Sequence, residues 1–421
     1  MKAAIIGLDG VPVELVKDLT SKGVMPNLRG ILKEGELHRM QSTIPPNSAA
    51  SWTSIITGKN PGEHGVYGFT DFAPGSYDVR YHHSSRLRAQ PFWARNPALR
   101  TLIVNLPASY PAQPLNGFHV SGFVSPCLSR AVYPPSLHDT LENLGYMIDV
   151  EAPATTDDYD RFIADLSTSL RRRVEVVERL LHLDWDIFFL VLTGTDRIGH
   201  YLWDAYRDES HERHQAFLEY FRQVDEAIGR INGLLGEGTP LMMLSDHGMG
   251  ESRVSMNLNT LLRLSGYLAT KGKEENYGSM KPGTRAFAVE TNKIYLNRAG
   301  RFPGGGVTED QAAQITGELM DMLLGTFYRG SKVVKRVYTR EVYSGPYAGE
   351  GPDLIAIPER GFSLKTGLND ERIFSLDGLT GTHTDDDAFL FLRGENAAGV
   401  SEGLSIQDAI AALNSAGGLS L

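Results

Sequence analysis

The sequence holds one cysteine, Cys127, so no disulfide can close within the chain and nothing points to an oxidising compartment. It lacks any apolar run of transmembrane length, and its opening, MKAAIIGLDG, has too short an apolar stretch for a secretory signal. No periodic repeat or low-complexity tract is visible. Positive charge is also in deficit, with 41 Lys and Arg against 51 Asp and Glu and a formal net charge of −10. That balance argues against a nucleic-acid polymer or an anionic membrane as the main partner, while leaving room for a local pocket that holds one small anion. A cytoplasmic protein is expected. Its 421 residues suffice for one large α/β domain with insertions or for two or three domains.

What is present is a series of short apolar runs of the kind that form buried parallel strands. The first is Ala3 to Leu8, and Asp9 follows at its C-terminal end, the edge where ligands collect in open α/β sheets. Further strands are predicted over 101–106, 118–124, 186–192, 240–245 and 388–392. Helical spacing predicts helices over 13–23, 25–35, 158–182, 209–235 and 405–413. Within 158–182 the run Arg171-Arg172-Arg173 reads as a solvated face. Residues 66–98, rich in Gly, Tyr, Phe, Arg and Asp without periodicity, read as loops. Residues 255 to about 375 read as a small inserted subdomain near the active edge, with strands at 286–296, 333–342 and 353–357 and a helix at 309–325.

Four stretches carry candidate chemistry. In PPNSAASWTSIITGKNPGEHG, residues 45–65, turn residues lead into a short helix beginning near Ser48. A hydroxyl there stands where unpaired backbone N–H groups and the helix dipole favour an anion, and it can equally be a simple N-cap. After the strand at 186–192, Asp196 and His200 are four residues apart, so on a helix they share a face and can share a metal ion. Asp246 and His247 follow the strand at 240–245 directly. Gly381-Thr382-His383 comes just ahead of the final strand.

The order Asp9, Ser48, D-x-x-x-H at 196–200, S-D-H-G at 245–248 and a late G-x-H resembles the alkaline phosphatase superfamily. It looks most like the type I phosphodiesterase and nucleotide pyrophosphatase branch. The likeness extends through Met25-Pro26-Asn27-Leu28, Thr57-Gly58 and Pro61-Gly62-Glu63-His64-Gly65, and it covers residues 1 to about 395. It implies a mostly parallel central sheet flanked by helices, and two divalent metal ions, usually zinc, with manganese also compatible with mixed Asp and His ligands. One ion would be held by Asp196, His200 and His383, the other by Asp9, Asp246 and His247 with the Ser48 oxygen. Coordination to a cation would make the Ser48 hydroxyl competent to attack phosphorus.

One departure bears on the substrate. Where the nucleotide pyrophosphatases carry a phosphoryl-binding Asn, this chain has Phe69. The backbone at Ala49 and Ala50, Thr70, or a cation such as Arg197, Lys281 or Arg285 could replace it. Trp52, Tyr67 and Phe69 could line an apolar pocket. The expected activity is hydrolysis of a small phosphate ester, a diester or nucleotide pyrophosphate before a monoester. A phosphomonoesterase, a phosphonate hydrolase and a metal-binding scaffold without catalysis are the alternatives.

Overall fold

The computed structural model describes residues 2–271, 276–376, 378–399 and 402–417. The chain divides into two compact units. One comprises residues 1–59, 83–249 and 383–421, the other residues 60–82 and 250–382.

The first unit is built on an eight-stranded sheet. Its strands are β1 (Ala3–Leu8), β2 (Glu36–Met40), β3 (Thr101–Leu106), β4 (Gly117–Ser121), β5 (Val132–Tyr133), β6 (Ile187–Leu192), β7 (Leu241–Leu244) and β8 (Ala388–Arg393). They lie in the order β2-β8-β7-β1-β6-β3-β4-β5. The five central strands β7, β1, β6, β3 and β4 are mutually parallel; at the margins β8 runs antiparallel to both β7 and β2, and β5 runs antiparallel to β4.

Side-chain alternation along these strands divides the core in two. Ala4, Ile6, Phe188, Leu190, Leu241 and Met243 face one side, under the helices α1 (Val13–Ser21), α2 (Pro26–Ile31), α4 (Tyr159–Leu181), α5 (Gly194–Arg207) and α6 (His214–Leu235). Ala3, Ile5, Ile187, Phe189, Met242 and Leu244 face the other, under α3 (Ser48–Thr57) and α7 (Ala409–Gly417). In α4 the buried Phe162, Leu166, Leu170, Val174, Val177 and Leu181 recur every three or four residues. Each such side chain contributes about 1.5–3 kcal/mol on burial.

Three sequence expectations need correction here. Arg173 is buried rather than solvated, and its guanidinium donates to the carbonyls of Met147 and Ile148 at 3.2 and 3.0 Å. The helix expected from residue 209 begins at His214, because the hydroxyl and amide of Ser210 turn back onto Asp208. At the C-terminus, Ser405 caps a 3-10 turn over Ile406–Asp408 before α7 starts.

In the second unit the antiparallel strands Ala286–Val289, Lys293–Leu296, Leu354–Pro358 and Val334–Thr339 form a sheet, with the helix Glu309–Leu324 in the same core. The single strand expected over 286–296 is a hairpin. Its turn begins at Glu290, whose φ of +56° breaks the extended run. Part of the expected loop at 66–98 is also ordered, as the hairpin Thr70–Phe72 with Val79–Tyr81. Phe72 anchors it, meeting Tyr277, Phe287, Tyr295 and Phe302 edge-on at 5.3–5.6 Å.

Candidate metal centre

All seven residues singled out from the sequence belong to the first unit, and the parallel strands explain most of their placement. Leu8 of β1 pairs with Leu192 of β6, and Gly7 with Leu244 of β7, so the three strands end together. Asp9 leaves β1 with its amide donating to the Leu192 carbonyl at 3.1 Å. Asp246 lies two residues beyond β7, and its Oδ1 accepts from the Gly10 amide at 3.2 Å. Gly10 has φ +69°, and a Cβ there would lie 2.8 Å from Asp196 Oδ1, so this close approach requires glycine. Helix α5 starts at Gly194 and brings Asp196 and His200 round to one face.

Ser48 is the first residue of α3, and the cap is Asn47, whose Oδ1 accepts from the Ala49 amide at 3.0 Å. The Ser48 hydroxyl is therefore free of capping duty. Its Oγ lies 3.3 Å from Asp9 Oδ1 and 3.1 Å from His247 Nε2. His247 Nε2 is in turn 3.3 Å from Asp246 Oδ2 and 3.7 Å from Asp9 Oδ1. Beside this group, His383 Nε2 sits 3.2 Å from Asp196 Oδ1 and 2.9 Å from His200 Nε2, with His200 Nε2 3.4 Å from the same carboxylate oxygen. The His247 and His383 rings stack at 3.6 Å, so the two groups adjoin.

The donor chemistry suits cations. His247 Nδ1 donates to the Gly248 carbonyl at 2.9 Å and His383 Nδ1 to the Pro46 carbonyl at 2.8 Å. Each Nε2 is thereby left as a lone pair turned into the cluster, and the backbone carbonyl on the other nitrogen fixes the ring as it does for metal-binding histidines. Asp196 Oδ1 and Asp246 Oδ2 are buried with no hydrogen-bond donor among the described residues. Such oxygens call for an ion. Two triads bring their ligand atoms within 4.8 Å of one another, namely Asp9, Asp246 and His247, and Asp196, His247 and His383. His247 therefore reaches both groups.

Electrostatics agree with this reading. Burial, and then the charges of Asp246 and Asp196, raise the Asp9 carboxyl well above its ordinary range. Burial, and then Asp196, push Asp246 up to about 7. For Asp196 burial is outweighed by His200 and His383, which hold it low. Burial and the neighbouring His383 depress His247, whereas Asp196 raises His383 against its burial. Three carboxylates this close repel one another, and a divalent cation among them would reverse the sign of the interaction.

The other hydroxyls of α3 and the remaining candidates from the sequence have different work. Ser51 Oγ lies 2.8 Å from Thr43 Oγ1 and 3.2 Å from Ser42 Oγ, and Thr53 donates to the Ala49 carbonyl at 2.6 Å. Trp52 is fully buried, and Tyr67 is buried with its hydroxyl on the Tyr347 carbonyl, so neither lines an open pocket. Arg197 forms a two-pronged ion pair with Asp149 and lies over the Phe123 ring. Arg285 stacks on Tyr267 at 4.3 Å, and Lys281 is exposed, both in the second unit. The Thr70 amide and hydroxyl donate to Glu290 at 2.6 and 2.8 Å, and the Ala49 amide is taken by Asn47. Of the proposed backbone donors, Ala50 remains in the first turn of α3, where the helix supplies no acceptor.

Sequence reasoning missed Asn47, although Asn before a hydroxyl-rich helix is a strong cap signal. It also missed the Gly10 amide and a cavity of about 470 Å³ beside α3. That cavity is lined by Thr53, Ile56, Leu87, Trp93, Leu99 and His119, among others.

Solved structures similar to the chain share its fold at low identity. Phosphonoacetate hydrolase from Sinorhizobium meliloti, in complex with phosphonoformate, matches with a TM-score of 0.67 and 16% identity, over 99% of this chain and 96% of that one. Murine ectonucleotide pyrophosphatase/phosphodiesterase 5, in an inactive form with AMP, matches with a TM-score of 0.59 and 15% identity, over 100% and 96%. The human counterpart gives a TM-score of 0.60 and 14% identity, over 98% and 94%. No curated protein sequence matches the chain. The sequence profile of one family spans residues 3–386, and with this profile and this fold the chain belongs to the type I phosphodiesterase/nucleotide pyrophosphatase family of phosphoric ester hydrolases.

Proposed function

We propose that this hydrolase cleaves small phosphodiesters or nucleotide pyrophosphates through a phosphoseryl intermediate on Ser48, at a centre for two divalent cations. The observation that carries the reading is the position of Ser48 Oγ, 3.3 Å from Asp9 Oδ1 and 3.1 Å from His247 Nε2, at the rim of two adjoining groups of Asp and His. Asp9, Asp246 and His247 would hold one cation and Asp196, His200 and His383 the other, zinc being the expected metal. Cations so held supply Lewis-acid stabilisation of the entering and departing oxygens. Ser48 Oγ attacks phosphorus, the bond to the departing alcohol breaks, and the serine proton leaves with that alcohol. Water then cleaves the phosphoseryl ester, restoring Ser48 and releasing the phosphate that remains. The first turn of α3, with the Ala50 amide, favours the negative phosphoryl group.

One feature supports a diester over a monoester. Ser48 is followed by Ala49 and Ala50, and Arg197 is engaged by Asp149, so neither helix supplies an uncommitted cation for a dianion. An aryl ester of a nucleotide should therefore show a higher kcat/KM than the matching aryl phosphomonoester. A tenfold preference for the monoester, about 1.4 kcal/mol in transition-state binding, would overturn the diester assignment and leave the metal centre standing. Turnover of phosphonoacetate with neither ester cleaved would instead favour a phosphonate hydrolase, the activity of one structural neighbour.

A further inference from the structure

One contact between the Ser48 helix and the first strand has no part in the chemistry just described. Trp52 follows Ser48 by four residues, about one helical turn. Its indole is fully buried, with Nε1 donating to Asp9 Oδ2 at 2.9 Å. The six-membered ring lies on Gly7, where a Cβ would fall 2.3 Å from Cη2 and 3.1 Å from Cζ2 and Cζ3. Phe189 meets the indole edge-on at 6.0 Å. The ring is thus held on both sides, and the absence of a side chain at Gly7 is what admits it.

The consequence falls on Asp9. A carboxylate turns through a broad, roughly two-fold torsion and can present one oxygen or both to a cation. Here Oδ2 carries the indole proton in a charge-assisted bond, while Oδ1 faces Ser48 Oγ at 3.3 Å and His247 Nε2 at 3.7 Å. We propose that Trp52 is a positioning residue which restricts Asp9 to a single coordinating oxygen, Oδ1, and sets the distance between that oxygen and the Ser48 nucleophile. The inference rests on Asp9 being a metal ligand. Because Trp52 and Ser48 share one helix, a shift of the indole moves the nucleophile and the ligand relative to each other.

The test uses two variants and a readout other than turnover. Trp52→Phe keeps an aromatic ring but removes the N–H, and Gly7→Ala keeps the N–H but pushes the ring away. Zinc affinity is measured by competition with a chromophoric chelator, beside kcat, KM and thermal midpoint. Each variant should weaken one of the two zinc sites by about ten- to a hundredfold, as loss of a partner to a ligand does, and lower kcat more than it raises KM. The effects should not add. A phenyl ring ends short of the space over Gly7, so Gly7→Ala should do little in the Trp52→Phe background. A purely structural indole would lower the thermal midpoint and leave both zinc affinities unchanged, which overturns the proposal. If the unaltered protein binds no divalent metal, the reading of Asp9 as a ligand fails first and the proposal falls with it.

Discussion

The two halves of the centre are built from the same residue types but sit at different depths. Asp9, Asp246 and His247 are almost inaccessible, with side-chain exposures of 3%, 0% and 0%. Asp196, His200 and His383 retain 14%, 21% and 22%. In the inner group Trp52 ties Asp9, Gly10 ties Asp246 and Gly248 ties His247, as the Pro46 carbonyl ties His383 in the outer group. In the outer group the Nε2 atoms of His200 and His383 face each other at 2.9 Å. The difference separates two tasks. Under the proposed mechanism the inner half would fix Ser48, which lies against it, and the outer half would admit substrate and water.

The sharpest way to break this comparison is to remove the hydroxyl on which the inner half converges. Ser48→Ala should cut kcat at least about ten-thousandfold. Its thermal midpoint should barely move, because Asn47 and not Ser48 caps the helix. An active Ser48→Ala enzyme would end the assignment of the nucleophile.

Metal linkage sharpens it next. With free zinc at about a thousand times its Kd, binding should stabilise the fold by about 4 kcal/mol per site, read as a rise in thermal midpoint over chelator-treated protein. Asp246→Asn should abolish the contribution of the inner site, while His200→Ala should lose only that of the outer site and keep the rest. Loss of the contribution of both sites from either substitution alone would show that the halves do not bind independently.

Part of the acid sensitivity should come from outside the centre. Burial depresses His119 to about 4 from an ordinary 6.5, and burial with the neighbouring His82 depresses His64 to about 3. The unfolded chain binds these protons first, so the stability is complete above pH 6.5 and is lost as pH falls toward the folded values. For His119 the full loss is about 3 kcal/mol. Denaturant titrations from pH 7 to pH 4 should show the slope, and His119→Asn should flatten part of it. A slope unchanged by that substitution would assign the acid sensitivity to His64 and the histidines of the centre instead.

The smallest effect is expected beside the nucleophile. Ser51→Ala removes one member of the Ser42, Thr43 and Ser51 hydroxyl cluster, at a cost of about 1 kcal/mol in stability with kcat within a few-fold of the unaltered enzyme. A kcat loss equal to that of Ser48→Ala would dissolve the distinction between the two serines.

Much of this was legible in the sequence because strand periodicity and ligand position coincide. An apolar run that ends in Asp, as at Leu8-Asp9 and Leu244-Ser245-Asp246, places its carboxylate at the sheet's C-terminal edge, and an i,i+4 spacing brings His200 beside Asp196. Contacts between distant residues were not legible, since no period encodes them. The indole of Trp52 meets Asp9 across 43 positions and His383 meets the Pro46 carbonyl across 337. Arg173 looked solvated because its partners are backbone carbonyls, which have no signature in side-chain pattern. The hairpin at Phe72 was hidden for a related reason, its stability coming from rings more than 200 residues later.

The most direct test of the central claim is a count of bound metal by elemental analysis on protein purified without chelator, followed by anomalous diffraction at the zinc edge. Two ions per chain are predicted, one against Asp9, Asp246 and His247 and the other against Asp196, His200 and His383. A reproducible absence of metal, with no hydrolysis regained on adding zinc or manganese, would contradict it.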